Sequence, residues 1–548
     1  MVHPSLGQLL LDAGLVTPEQ LADAEAVERR TGAPLGAILV ASGALARRDL
    51  FRTLAAVWNC GYLDVSTEWL DPDLPRHDPA TLFRDAWLPL HHDDEGYVLV
   101  ATAQEPTPER VAMIEEAVGA PVCVGVTTDW DLDEAIQRAY RPSPVPAPAA
   151  PRGFNRAWLV AAVAVLALIF ATGPAIAALV LLASAGYLLY AGFTFALCLR
   201  GARAGRPVTA ALDERDLPAY TVLVPLRDEA AAVPDLIATL GAIDYPAAKL
   251  EIILLLAEDD DETIDAAHTA EPPPTTKFVL VPAGAAATEV GLSFARGSHV
   301  VVFGAADRPE PDQLRKAAAA LHQAGAGTVG VQAALDDPLD HLVDGLDDLP
   351  VPVRATSSHF RTDALRRLGG WDADLGIRVA AAGHRVGALD STTFQPAADD
   401  PAPPHRPRAL FQAVGLKRAL GFLLLTGGTP ATLLASPVLY VVFLAALLLP
   451  HDLLGRVLPG WVLAIALTSL LVGAALTVYT SMMGAFRRRH YRLVPRALLR
   501  PLHSPRRIAA TYRALWQSLV RPPDWEKTTH GRRTVHSGDR SVAAADLG

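Results

Sequence analysis

The chain has 548 residues, 51% of them hydrophobic, with a mean hydropathy of +0.24 and a formal net charge of −11. That length exceeds one ordinary core and calls for several units, while the hydropathy points to membrane segments rather than a purely soluble protein. The acidic balance gives no general electrostatic case for nucleic acid, and three scattered cysteines, Cys60, Cys123 and Cys198, form neither a disulfide frame nor a metal site.

Residues 5–58 hold an internal repeat. The run Ser5–Leu21 recurs as Pro34–Leu50, with Gly7 matched to Gly36 and Gly14 to Gly43 at a common offset of 29. Each copy reads as a short amphipathic helix ended by glycine, then a second helix opening at Thr17 or after Leu45. Short strands are expected at Tyr97–Thr102 and Val122–Val126, and helices at Pro108–Val118 and Asp131–Tyr140. This repeat with its small α+β cap, residues 1–140, resembles the N-terminal domain of type II secretion ATPases, the MshEN type. The resemblance implies cyclic di-GMP as a ligand in some relatives, held by an arginine just before each Leu-Gly pair. Ser5 and Pro34 stand at those positions, so weak or absent binding is expected. No Walker loop appears, so the chain is not itself such an ATPase. The N-terminus carries no basic-then-apolar signal, which places the first domain in the cytoplasm.

Residues 141–156 read as a proline- and alanine-rich linker. The apolar stretch 157–199, interrupted at Gly173 and Pro174, is about twice the roughly 20 residues of one span and reads as a helical hairpin. Arg152 and Arg156 before it, and Arg200, Arg203 and Arg206 after it, put both its ends in the cytoplasm. A membrane region at 419–486 adds spans at Ala431–Leu449 and Trp461–Phe486, giving about four in all. Ala419–Leu425 is too short to span and reads as interfacial. Arg487, Arg488, Arg489 and Arg492 open a cytoplasmic tail, 487–548, with an interfacial helix. The expected location is the inner membrane, multi-pass, with the soluble domains cytoplasmic.

Between the hairpins, residues 210–396 alternate apolar strands (Tyr220–Arg227, Leu250–Leu256, Lys277–Val281, His299–Phe303) with helix-like segments such as Asp235–Leu240. That pattern reads as an open parallel sheet. An acidic cluster, Glu258 to Glu262, follows the second strand, where such sheets bind ligands. His359 and His384 lack paired ligands at metal spacing and read as structural, while Arg361 reads equally as phosphate-facing or as helix-start packing.

The runs VLVPLRDEA at Val222–Ala230, DYPAAKLEIILLLAEDDDET at Asp244–Thr263, ADRPEPDQLRKA at Ala306–Ala317 and SSHFRTDALRRLGGWDADLGIR at Ser357–Arg378 resemble membrane-embedded family 2 glycosyltransferases. The resemblance implies an α/β, Rossmann-like domain of the GT-A type. Its implied activity is transfer of a sugar from a nucleotide diphosphate sugar to a polysaccharide or lipid acceptor, with Mg2+ or Mn2+. By the same resemblance Val224, Pro225, Asp259 and Asp260 would contact uracil and ribose, Asp307 would lie beside the diphosphate, and Asp372 would be the general base. The chain departs from the family in its phosphate half. The two metal-ligand positions are Gly304 and Ala306, so no metal residue is assigned, and Asp307 just after them reads rather as helix N-terminal charge. Asp372 reads equally as a turn residue after Gly369 and Gly370, with Trp371 where the family has Glu. Pro401–Leu420 holds no Gln-X-X-Arg-Trp segment. The alternative function is a catalytically inactive relative, a scaffold or regulatory subunit in envelope polysaccharide assembly.

Overall fold

The computed structural model describes residues 5–71, 74–93, 96–140, 173–203, 210–325, 327–335, 353–372, 374–394, 416–450 and 458–487, with isolated positions 455, 508 and 512. The proline-rich linker, the first half of the first hairpin, the stretch 401–415 and the arginine-rich tail lie outside these residues.

The N-terminal domain opens with helices Leu6–Asp12 and Pro18–Thr31 and their repeats Leu35–Ala41 and Arg47–Val57. The repeated glycines have a packing cause. A side chain at Gly7 would meet Leu21 and one at Gly36 would meet Leu50, so each glycine admits a leucine of the following helix. Thr17 closes a capping box with Gln20, which fixes the start of the second helix. Four strands follow, β1 (Gly61–Tyr62), β2 (Trp87–His92), β3 (Val98–Thr102) and β4 (Val122–Val126), ordered β1-β4-β3-β2. Helices Pro108–Val118 and Asp129–Ala139 bury Ile114, Leu132 and Ile136 against Trp87, Leu88 and Val100.

The second domain is an eight-stranded sheet of β5 (Tyr220–Leu226), β6 (Leu250–Ala257), β7 (Thr276–Val281), β8 (His299–Val302), β9 (Arg308–Pro309), β10 (Thr328–Leu335), β11 (Ser358–Arg361) and β12 (Arg385–Phe394). Their order is β7-β6-β5-β8-β11-β10-β12-β9. β5 to β8 are parallel, as expected. The sheet as a whole is mixed, because β11 runs antiparallel between β8 and β10, and β9 runs antiparallel to β12. Among the described residues, the strict alternation of strand and helix that signalled a parallel sheet breaks between β8 and β9 and again between β10 and β11, and although β10 and β12 pair in parallel, β9 and β11 are set by tertiary pairing. Val222, Val224 and Leu254 pack on one face while Leu223, Ile253 and Leu255 pack on the other. Burial on both faces is why these strands read as continuous apolar runs.

At the amino ends of the strands the sheet encloses two histidines. His359 is wholly buried and its Nδ1 sits 2.7 Å from the Tyr220 hydroxyl. Burial, reinforced by His299, pushes the His359 imidazole down to about 3, and burial with Arg361 pushes His299 down to about 4. Both folded values lie below the usual 6.5, so the neutral rings are favoured in the fold. Their contribution is whole above pH 6.5 and is lost as pH falls toward 4. Unfolding free energy should therefore drop by about 1.4 kcal/mol per pH unit for the fully buried His359 over that window. Denaturation of wild type and His359→Gln from pH 7.5 to 4.5 checks this; equal slopes in the two proteins would refute it.

Among the described residues, three helices are long and apolar enough to cross a membrane, with spans Gly173–Arg200, Ala431–Leu448 and Gly460–Met483. The fourth expected span falls on residues outside those described. Ala419–Leu425 forms part of one continuous helix, Leu416–Leu448. In it Phe422 packs on Ile377 of the sheet domain, and Thr429 Oγ1 bonds the Tyr190 hydroxyl at 2.6 Å. These contacts carry the helix through Gly427 and Gly428, which local propensity marks as a break.

The two soluble domains meet at the amino ends of β5, β6 and β8, through a charge network. Arg47 Nη1 donates to Asp129 Oδ1 (2.9 Å), and Arg296 donates to Asp129 Oδ2 (2.6 Å) and to Asp133 Oδ2 (2.8 Å). Lys277, on edge strand β7, also donates to Asp133, both side chains being under one-tenth exposed. Burial alone would raise the Asp129 carboxyl pKa, but Arg296 and Arg47 hold it below the usual range. Phe83 packs on Phe294 beside the network, ring centroids 4.6 Å apart.

Candidate functional site

The strand order reverses at β5, which has β6 on one side and β8 on the other. A crevice is expected there at the carboxyl ends, and the sequence opens it. The β5–β8 ladder ends at Leu223 paired with Val302, where Phe303 N donates to Leu223 O (2.9 Å). Pro225 is the next position on that side of β5 and has no N–H to continue the ladder. β8 turns away at Gly304, and the strands part.

The rim of the crevice is built from the loops after β5 and β6. Arg227 pairs with Asp259 at 2.9 Å, Asp228 N donates to Asp260 Oδ2, and Glu229 N donates to Thr263 Oγ1 (3.1 Å). Asp260 also caps helix Asp261–Thr269 through Thr263 N (3.2 Å). Asp228 takes a positive φ of 54°, the turn that lets its N–H face Asp260. Asp259 and Asp260 follow the carboxyl end of β6, and sequence reasoning missed that their oxygens brace the neighbouring loop. Arg227 and Asp228, directly after β5, were the signal. The Arg227–Asp259 pair is about half exposed and worth little. Pro225 is partly exposed, whereas Val224 is wholly buried. The Val224 side chain belongs to the core, and only its backbone lies near the crevice.

Beyond β8, Asp307 is 3% exposed and its Oδ2 accepts from Gly304 N at 2.8 Å. A side chain at Gly304 would stand 3.6 Å from that carboxylate. Helix Gln313–Gln323 begins well after it with Asp312 at its N-cap, so the helix-terminus role for Asp307 is replaced by bracing of the β8 turn. Among the described residues, no group of three or more His, Cys, Asp or Glu side chains gathers at a spacing for a metal.

Asp372 is exposed and tied down locally. Arg378 Nη1 donates to both its oxygens (2.6 and 2.5 Å), and Asp374 N donates to Oδ1 (2.8 Å). The same guanidinium bonds the carbonyls of Leu368 and Gly370. Gly369 and Gly370 both have φ near 85°, so Asp372 closes a glycine turn. Trp371 is buried against Phe360. Arg361 donates to Leu321 O (2.7 Å), a packing contact. In the first domain, Ser5 and Pro34 occupy equivalent helix N-caps, both exposed.

The molecule is therefore an α/β domain whose strand order reverses at β5, joined to an α+β repeat domain and to apolar helices of membrane-spanning length. Among solved structures it is similar to a mannosyltransferase from Pyrobaculum calidifontis in complex with GDP-Man and Mn2+. That match has 21% identity and TM-score 0.41 over 62% of this chain and 99% of that one. It is similar also to S. aureus TarS 1–349 in complex with UDP-GlcNAc (11% identity, TM-score 0.28, 54% of this chain and 91% of that one). The first part of the chain is similar to MshE solved with cdg (22% identity, TM-score 0.22, 25% of this chain and 99% of that one). No family model matches the chain, and no curated protein does.

Proposed function

We propose that this chain is a membrane-embedded protein of the glycosyltransferase type that binds a nucleotide diphosphate sugar at the carboxyl ends of β5 and β6. In this proposal it serves envelope polysaccharide assembly as a donor-binding scaffold or regulatory subunit. The observation that carries it is Asp307, folded onto Gly304 N, with no carboxylate at 304 or 306. A Mg2+ or Mn2+ ion needs several oxygen ligands, and the residues present do not fit one. Base and ribose contacts need no metal, and Asp259, Asp260 and Pro225 remain for them. Titration with a uridine diphosphate sugar, with and without Mn2+, tests the reading: saturable binding of equal strength in both supports it, and no binding refutes it. A second reading, sugar transfer to a polysaccharide or lipid acceptor, is favoured by the exposure of Asp372, the candidate base.

The soluble domains and both chain ends face the cytoplasm in this proposal, since arginines flank the apolar helices. Cys123 is exposed and serves as the probe. A membrane-impermeant maleimide should label it only after permeabilisation; labelling of intact cells would invert the topology. For cyclic di-GMP we expect no binding at micromolar concentrations, because Ser5 and Pro34 present no guanidinium. Calorimetry giving a low-micromolar Kd would restore the sensor role.

A further inference from the structure

Where the two soluble domains meet, a cleft of about 360 Å3 lies beside the charge network. Its apolar wall is Phe51, Phe83 and Phe294, and it is lined by Arg84 from the first domain and Arg366 from the second. The volume is that of a small-molecule pocket. Asp129 and Asp133 also line it, but both are engaged by Arg47, Arg296 and Lys277, three cations against two anions.

Arg366 adds one more cation. It makes no ion pair among the described residues, and its Nη2 donates to the carbonyls of Leu292 (2.9 Å) and Ala295 (2.6 Å). Those two bonds fix the guanidinium and leave Nε and Nη1 without a protein partner among the described residues. Burial lowers the Arg366 pKa; Asp363 and Glu251 oppose the shift and Arg84 adds to it. Arg366 is exposed and its guanidinium is held by those two carbonyls, so a bound anion can take the remaining donors. Arg84 pairs with Asp85 but is 65% exposed, so it turns toward an anion at little cost.

We propose that this interdomain cleft binds a small organic phosphate, its phosphate between Arg366 and Arg84 and its apolar part against Phe51, Phe83 and Phe294. Guanidinium forks match phosphate geometry, and the ring walls select against the bare ion. The ligand touches both domains and so holds them together. The site is separate from the proposed donor crevice, which lies at the opposite ends of the strands, and it does not rest on that reading.

The test titrates the full chain, in detergent, with phenyl phosphate and with inorganic phosphate. Phenyl phosphate should bind saturably, and inorganic phosphate at least about tenfold more weakly. Arg366→Gln should weaken phenyl phosphate about tenfold to a hundredfold, and Arg84→Gln about threefold or more, as expected for charge-assisted hydrogen bonds. Should Arg366→Gln fail to fold, because Leu292 and Ala295 lose their donor, the exposed Arg84→Gln and the charge-retaining Arg366→Lys carry the measurement. Excess UDP should not displace phenyl phosphate. The proposal is overturned by absence of saturable binding, by unchanged affinity in Arg84→Gln, or by displacement with UDP, which would assign the phosphate to the donor crevice.

Discussion

Membranes containing the wild-type chain are expected to incorporate radiolabelled sugar from a nucleotide diphosphate sugar at background level, although the purified protein is expected to bind the nucleotide. Departure of the sugar builds negative charge on the diphosphate, and losing one group that stabilises such charge commonly costs a factor of about a hundred to a thousand. Two such positions, 304 and 306, are empty of carboxylate, and Asp307 is committed to the Gly304 amide. The control is Asp372→Asn. Robust incorporation by wild type that disappears in this variant would make Asp372 the base and the protein an enzyme. The structure also shows what restoring the pair would do. A side chain at 304 stands 3.6 Å from the Asp307 carboxylate, so Gly304→Asp sets two like charges together, and one of them protonates unless a cation is present. Gly304→Asp with Ala306→Asp should therefore strengthen nucleotide binding in Mn2+ more than it raises turnover, since no Gln-X-X-Arg-Trp segment is present to complete the acceptor side.

The second large effect is expected at the domain interface. Asp133→Leu removes a carboxylate that is 2% exposed and leaves Lys277, 7% exposed, without its ion-pair partner, with only the longer-range field of Asp129 to offset its charge. Breaking a buried pair from one side costs about 3–5 kcal/mol. Arg296 keeps Asp129, so the loss falls mainly on Lys277. The double variant Asp133→Leu with Lys277→Met should recover most of the stability, because well-packed apolar groups replace buried pairs at little cost. Chemical denaturation of the full chain measures both. A single variant as stable as wild type would mean that the lysine reaches water.

What the sequence showed follows from what local pattern encodes. The continuous runs at β5 and β6 and the 29-residue repeat were legible because burial on two faces and a glycine receiving a leucine each leave a periodic trace. The antiparallel β11 and β9 left none, being four and two residues long and fixed by partners distant in the chain. The same holds for the charge network: Asp129, Lys277 and Arg296 read separately as ordinary helix and strand charges. At the crevice, the acidic cluster was legible as a position, but not as a brace on the preceding loop, because that depends on the positive φ at Asp228. The docking of Phe422 on Ile377 left no local trace either, because it is tertiary.

The packing of the apolar helices bears on the order in which the protein can be built. A side chain at Gly428 would strike Tyr190, and one at Gly473 would strike Tyr187, so two tyrosines of helix Gly173–Arg203 seat in gaps on helices Leu416–Leu448 and Gly460–Arg487. During synthesis the first helix enters the bilayer long before either partner exists, with the entire sheet domain still to be translated. The bond between the Tyr190 hydroxyl and Thr429, 2.6 Å long in the folded chain, can form only after that domain has been translated. Assembly of the membrane part is thereby timed by completion of the domain inserted between its helices.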